Sequence, residues 1–159
     1  MEVQNTFETP RLFIRPTTEE DAELNFRIFN TPEFKAFVGE RNVHSPEDAR
    51  LYLIERTLPQ IREKGYGNFT LIKKDTGEKI GSCGLYHRDG LEVADIGFSF
   101  LPQYYHQGYG YEAASRILRA GFEEFGLPAV SAITVKENIA SQKLIEKLGL
   151  KFQKIVRIP

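Results

Sequence analysis

Cysteine is nearly absent from this chain and neither charge is in excess, and the two scarcities remove several classes of protein. Cys83 is the one cysteine in 159 residues, so no internal disulfide can form. The three histidines, His44, His87 and His106, show no metal-ligand spacing, and no metal is expected. Lys and Arg number 21 against 22 for Asp and Glu, a net charge of −1 that lacks the basic excess of a nucleic-acid binder. No run of apolar residues is long enough to cross a membrane. The polar start Met1-Glu2-Val3-Gln4-Asn5 does not have the form of a secretory leader. A cytoplasmic protein without membrane or direct nucleic-acid partners is therefore expected. There is no complete G-x-G-x-x-G, no G-x-x-x-x-G-K-[ST], no repeat and no linker. With 41% hydrophobic content the chain can bury one sizeable core, and residues 1–159 read as a single domain.

What is present is a series of local signals. Leu12 to Arg15 reads as a first strand, and Thr18-Glu19-Glu20-Asp21 as a capping-box start for a helix to about Phe29, ahead of Thr31-Pro32. Ser45-Pro46-Glu47-Asp48 opens a second helix toward Lys64-Gly65, which Pro59 should kink or divide. Tyr66 to Lys73 and Lys79 to Tyr86 form a hairpin, and Arg88-Asp89-Gly90 turns into a strand from Glu92 to Leu101. Ala114, Ile117, Leu118, Gly121, Phe122 and Phe125 recur at helical spacing up to Gly126. A strand from Val130 to Val135, a helix from Asn138 to a cap at Gly149, and a strand from Phe152 to Ile158 complete the order. The unit from Glu92 to Val135 is β-α-β, so its strands should be parallel.

The junction Tyr105-His106-Gln107-Gly108-Tyr109-Gly110-Tyr111-Glu112 lies between a strand and a helix. Gly108 and Gly110 remove Cβ atoms that would block close backbone approach, and the first helical turn presents N–H groups without intrahelical partners. Those donors and the helix dipole favour an anion such as a phosphate. Glu112 reads as a favourable charge in that first turn. Downstream, Asn138 suits an N-cap ahead of an apolar stripe of Leu144, Ile145 and Leu148.

The two segments in this order resemble the GNAT superfamily of acetyl-coenzyme A dependent N-acyltransferases. Four motifs narrow the resemblance: Thr9-Pro10-Arg11-Leu12-Phe13-Ile14-Arg15-Pro16, Ala94-Asp95-Ile96-Gly97-Phe98, Gly108-Tyr109-Gly110-Tyr111-Glu112-Ala113 and Asn138-x-x-Ser141. They look like the branch that includes the ribosomal-protein N-terminal acetyltransferases. The resemblance implies an α+β (α/β) fold with a mixed, mostly antiparallel central sheet, a splayed parallel strand pair and flanking helices. It places the pantetheine arm of coenzyme A against the backbone of Phe98, Ser99 and Phe100. The pyrophosphate falls on His106, Gln107, Gly108, Tyr109, Gly110 and Tyr111, and Asn138 contacts the pantetheine or another part of the cofactor. Tyr105 stands where the usual pattern has Gln or Arg, a small departure for a loop that works through backbone N–H groups. Members often end in one more strand than is visible here, which would be absent, trimmed or supplied by a partner.

The implied chemistry is direct transfer, in which an acceptor amine attacks the thioester carbon and the thiolate departs. Asp95 is the candidate base, with His87 and His106 behind it. Its alternative reading is a solvent-facing strand charge. Many members carry a tyrosine acid seven residues after the asparagine, where this chain has Ile145, so either Ser141 substitutes or the thiol leaves unassisted. Cys83 reads as a buried small hydrophobe and not as an acyl carrier. The acceptor is expected near the two N-terminal helices and the segment holding Phe34, Phe37, Glu40 and Arg41. A protein α-amine, an amino acid, a polyamine and an aminoglycoside all stay open, as do a noncatalytic acyl-coenzyme A binding module, another nucleotide-binding enzyme, and a monomer or homodimer. An amine that is partly neutral at pH 7 suits such modest acid–base equipment best.

Overall fold

Burial alternates along the first long strand. In a computed structural model of the chain, which describes residues 5–152, Leu12 and Ile14 are buried in β2 (Leu12–Pro16) while Phe13 between them is exposed. That period of two marks a strand with its apolar side on a core. A short β1 (Phe7–Glu8), not foreseen, pairs antiparallel with β2 and buries Phe7 edge-on against Phe69.

The helices that follow are set by their caps. Thr18 and Asp21 form a reciprocal capping box around a 3-10 turn (Glu19–Asp21), from which α1 (Ala22–Phe29) continues. Thr31-Pro32 opens α2 (Pro32–Phe37), where the sequence suggested only a stop: the Thr31 hydroxyl accepts from Phe34 N–H, and Pro32 occupies a first-turn position whose N–H would be unpaired anyway. Ser45 caps α3 (Pro46–Tyr52) in the same way. The chain then widens into a π-type turn (Leu53–Thr57) before α4 (Leu58–Lys64), so Pro59 does divide the second helical stretch. The cause is local, since proline has no N–H to donate and its ring crowds the carbonyl four residues back. Gly65 ends α4 with φ of 81°.

β3 (Asn68–Lys73), β4 (Lys79–Tyr86) and β5 (Ala94–Phe100) form an antiparallel meander. α5 (Tyr109–Glu123), which starts one turn earlier than its apolar face suggested, crosses to β6 (Val130–Ser131), parallel to β5. The strand expected over Val130 to Val135 is thus only two residues long, because Ala132 onward leaves the sheet. α6 (Ile139–Lys147) follows, with Gly149 left-handed just beyond its end. Most of the strand expected from Phe152 to Ile158 lies outside the described residues. Among those described, the sheet has six strands in sequence order. One face of it packs on α5: Cys83, Leu85 and Ile96 are buried with Ala113, Ala114 and Ile117. The two approach closely at Gly121, where an added Cβ would meet Leu85 at 3.1 Å.

Candidate active site

β5 has β4 on one side along its length, but β6 pairs with it only at Ala94↔Val130 and Asp95↔Ser131. From Ile96 to Phe100 its second edge meets no strand among the described residues, so a wedge opens toward α5's N-terminus. The side chains of Phe98 and Phe100 turn into the apolar core. Ser99 points to the other face, and only the backbone of Phe98, Ser99 and Phe100 borders the wedge.

At the wide end of the wedge the chain turns through His106 (φ 61°) and Gly108 (φ 85°), both left-handed, into α5. A non-glycine residue in that region is uncommon, and a short strained loop at a candidate site is an informative outlier. Glu112 N–H bonds to the Gly108 carbonyl. No side chain caps the helix, which leaves the N–H groups of Tyr109, Gly110 and Tyr111 free for an anion. The donor set therefore fits the pyrophosphate of coenzyme A, and the open edge of β5 fits an amide-bearing arm. Gly110 has a second reason to be glycine. A Cβ there would come within 2.8 Å of the Leu144 side chain of α6, so a larger residue would have to displace that leucine. The Tyr109 side chain is buried under the Arg11 guanidinium, 4.1 Å from its ring centroid, so only its backbone is available.

Sequence reasoning missed how that loop is held. Glu112 accepts from Thr9 Oγ1, from Arg11 N–H at 2.8 Å and from Arg11 Nε at 2.7 Å. Arg11 Nη1 donates to the Gln107 carbonyl at 2.9 Å, and Nη2 stands 3.2 Å from where a Cβ of Gly108 would be. Burial pushes the Glu112 carboxyl up, but the bonds from Thr9 and Arg11 outweigh it and hold the pKa below the usual carboxylate value. What read as a favourable first-turn charge is the tie between the β1–β2 turn and the loop. Both ends of the tie were visible, in Thr9-Pro10-Arg11 and in Glu112. A hundred residues of separation hid their meeting.

On the face of β4 and β5 away from α5, small and polar residues replace the apolar core. Register places Ser82, Gly84 and Tyr86 opposite Ser99, Gly97 and Asp95. Asp95 is 1% exposed, not a solvent-facing charge, and its Oδ1 accepts from Arg88 Nε at 2.8 Å. Burial raises its pKa, and Arg88 opposes that without cancelling it. Asp95 lies where β6 closes the wedge, five residues and about 16 Å from Phe100 along the strand.

Behind Tyr86 runs a buried polar chain. The Tyr86 hydroxyl donates to Asn68 Oδ1, Asn68 Nδ2 donates to Thr17 Oγ1 at 2.8 Å, and Thr70 Oγ1 donates to Asp21 Oδ2 at 2.9 Å. Thr17 and Thr70 are 2.9 Å apart, and because the Thr70 proton is committed to Asp21, Thr17 must be the donor between them. Every proton in the chain points toward Asp21. That carboxylate is fully buried, paired with Arg15 and Lys79 at 2.8 Å each. Burial pushes its pKa up, but Arg15, Lys79 and the Thr18 N–H bring it down to about 2.

The remaining candidates separate. Asn138 caps α6 by accepting from Ser141 N–H at 3.2 Å, so these two are adjacent as the motif implies. His87 Nε2 lies 2.8 Å from the Tyr66 hydroxyl, which places it in a structural contact at the far end of β4. His106 is in the loop. Cys83 is completely buried, and burial pushes its thiol up to about 12, which leaves no thiolate to carry an acyl group. Phe34 packs in a small core with Leu24, Ile28 and Leu101. An open cavity of about 330 Å³ lined by Glu23, Arg27, Glu78, Lys79 and Tyr104 lies at the Leu101 end of β5, away from Asp95. Among the described residues no group of three or more His, Cys, Asp or Glu could hold a metal ion, and no helix is long and apolar enough to cross a membrane.

The acetyltransferase (GNAT) domain model matches residues 11–151, and the chain belongs to that family. It is 30% identical over 155 residues to the uncharacterized N-acetyltransferase YoaA of Bacillus subtilis (strain 168), covering 94% of this chain and 85% of that one. Its fold matches the ribosomal-protein-S5-alanine acetyltransferase from Vibrio fischeri with a TM-score of 0.75 and 20% identity, over 93% of this chain and 82% of that one. It also matches the spermidine N-acetyltransferase from Vibrio cholerae solved with CoA and spermine, with a TM-score of 0.70 and 18% identity, over 87% and 79%. The protein is an acetyl-coenzyme A dependent N-acetyltransferase of the mixed GNAT fold.

Proposed function

We propose that this chain, a single domain acting in the cytoplasm, transfers acetyl directly to an α-amine, on a protein N-terminus or a small molecule. The observation that carries the site assignment is the wedge: a strand edge free from Ile96 to Phe100 that ends in a glycine loop with unpartnered helix N–H groups. In this reading His106, Gln107, Gly108, Tyr109, Gly110 and Tyr111 hold the pyrophosphate through backbone N–H groups, braced from behind by Arg11 and Glu112. The backbone of Phe98, Ser99 and Phe100 and the Asn138 side chain align the pantetheine. Acetyl-coenzyme A supplies the activated thioester. Asp95, at the closed end of the wedge, takes up the proton released by the amine, and Arg88 fixes the orientation of its carboxylate. Ser141, on the first turn of α6, assists departure of the thiol.

The preference for an α-amine follows from proton chemistry. One buried, ion-paired carboxylate is modest equipment for deprotonating an amine. A lysine side chain has a pKa of about 10.4 against about 8 for an α-amine, roughly 3 kcal/mol more to remove the proton. Peptides with one free α-amine and one lysine, incubated with acetyl-coenzyme A and mapped by mass spectrometry, test this. Acetylation at the α-amine is expected, and predominant modification of the lysine in the same peptides would overturn it.

A further inference from the structure

We propose that Tyr86 restricts the acyl group accepted at this site to acetyl, as the fixed wall that a longer chain meets. The proposal rests on the reading that coenzyme A lies in the wedge beside β5. An arm anchored at residues 106–111 and aligned along Phe100 to Phe98 runs toward Gly97, and β6 closes the wedge one turn of the pleat later at Asp95↔Ser131. The thioester end therefore comes to the level of Gly97.

Gly97 is directly opposite Gly84 on β4, and this pair leaves a stretch of sheet without side chains on the face away from α5. Tyr86 fills it. A Cβ on Gly97 would meet Tyr86 Cε2 at 3.0 Å, and one on Gly84 would meet the Tyr86 hydroxyl at 2.7 Å. Nothing larger than a glycine hydrogen separates the free edge of β5 from the Tyr86 ring. The ring cannot swing aside cheaply, because its hydroxyl donates into the chain through Asn68, Thr17 and Thr70 to Asp21, and the Arg88 guanidinium lies 5.9 Å from its centroid. Acyl carbons beyond acetyl that pass over Gly97 would run into it. Without the ring, the space over Gly84 and Gly97 would be open to the added acyl carbons.

The test is calorimetric titration with free coenzyme A and with its acetyl, butyryl and hexanoyl thioesters, so that no turnover is needed. The wild type is expected to bind butyryl-coenzyme A at least about tenfold more weakly than acetyl-coenzyme A, since two unaccommodated methylenes are worth that much in a closed pocket. Tyr86→Ala should bring butyryl to within about threefold of acetyl, and Tyr86→Phe, which keeps the ring but loses its hydroxyl anchor, should fall between Tyr86→Ala and the wild type. Should Tyr86→Ala not fold, Tyr86→Leu carries the same expectation in weaker form. A wild type that binds butyryl as tightly as acetyl overturns the proposal, as does a small-residue variant that keeps wild-type discrimination. In both cases intact binding of free coenzyme A leaves the wedge reading standing. Failure of the folded wild type to bind coenzyme A overturns both.

Discussion

Toward α5, β4 and β5 present Cys83, Leu85, Ile96, Phe98 and Phe100; on their other face the same strands present Ser82, Gly84, Tyr86, Asp95, Gly97 and Ser99. The first face is held by volume. Leu85 and Ile117 are fully buried, and helix and sheet approach until a methyl group at Gly121 would press on Leu85 at 3.1 Å. The second is held by direction, with a run of hydrogen bonds that ends on a buried carboxylate between two cations. An apolar face tolerates exchange of like for like. A directed chain depends on each member's donor or acceptor, and that rigidity suits the side of the sheet on which the proposed base Asp95 lies.

The contrast can be broken most severely on the apolar side. Leu85→Ala should lower unfolding free energy by about 3–4 kcal/mol, through lost burial and a cavity against α5. Chemical denaturation measures it, and a loss below about 1 kcal/mol would mean that the face collapses freely.

Asp21→Asn attacks the opposite face and should cost about 3 kcal/mol at pH 7, because Arg15 and Lys79 lose a buried partner. It also has a pH signature. The folded pKa of about 2 lies below the ordinary 3.8, so the wild-type contribution is full above about pH 4 and is lost as pH falls toward 2. Roughly 2 kcal/mol of acid-dependent stability should disappear across that window in the wild type and be missing from the variant. Parallel acid profiles for the two proteins would remove Asp21 from this role.

Asp95→Asn keeps shape and burial but removes the proposed proton acceptor, and kcat/KM should fall by about 10²-fold, most strongly at low pH where the amine is protonated. Affinity for coenzyme A should be unchanged. A pH–rate profile within a few-fold of wild type throughout would leave Asp95 as the anchor of Arg88 alone.

The smallest effect belongs to the loop brace. Glu112→Gln keeps one oxygen for Thr9 and the Arg11 N–H but turns an NH2 toward Arg11 Nε and loses the charge, and should weaken coenzyme A binding about tenfold while leaving pantetheine, which lacks the pyrophosphate, unaffected. Equal losses for both ligands would show that the change spreads beyond the loop.

Much of this architecture was legible locally. Thr18 with Asp21, Ser45-Pro46 and Asn138 announce helix starts because a side-chain oxygen reaches a free N–H within three residues, a contact that needs no tertiary partner. The hairpin over β3 and β4 and the helical face from Ala114 to Phe125 were equally plain, since period two and period 3.6 are backbone properties. Thr31-Pro32 was ambiguous for the same reason: proline both ends one helix and begins the next. β1 escaped, and β6 was expected to run on to Val135, because how far so short a strand extends depends on a neighbour that supplies its hydrogen bonds.

The sequence by itself determined the class of protein. Its glycine turn, its capped second helix and their order along the chain are enough to specify a β-α-β unit whose turn leaves helix N–H groups open to an anion. Only the tertiary structure decided that Arg11 and Glu112 meet behind that turn, that Asp95 is buried against Arg88, and that Tyr86 lies over paired glycines at the end of a chain leading to Asp21. Local elements follow from interactions over a few residues, which pattern encodes directly. The pKa of a carboxylate or the wall of a pocket depends on groups fifty to a hundred residues away, brought close only when the sheet assembles.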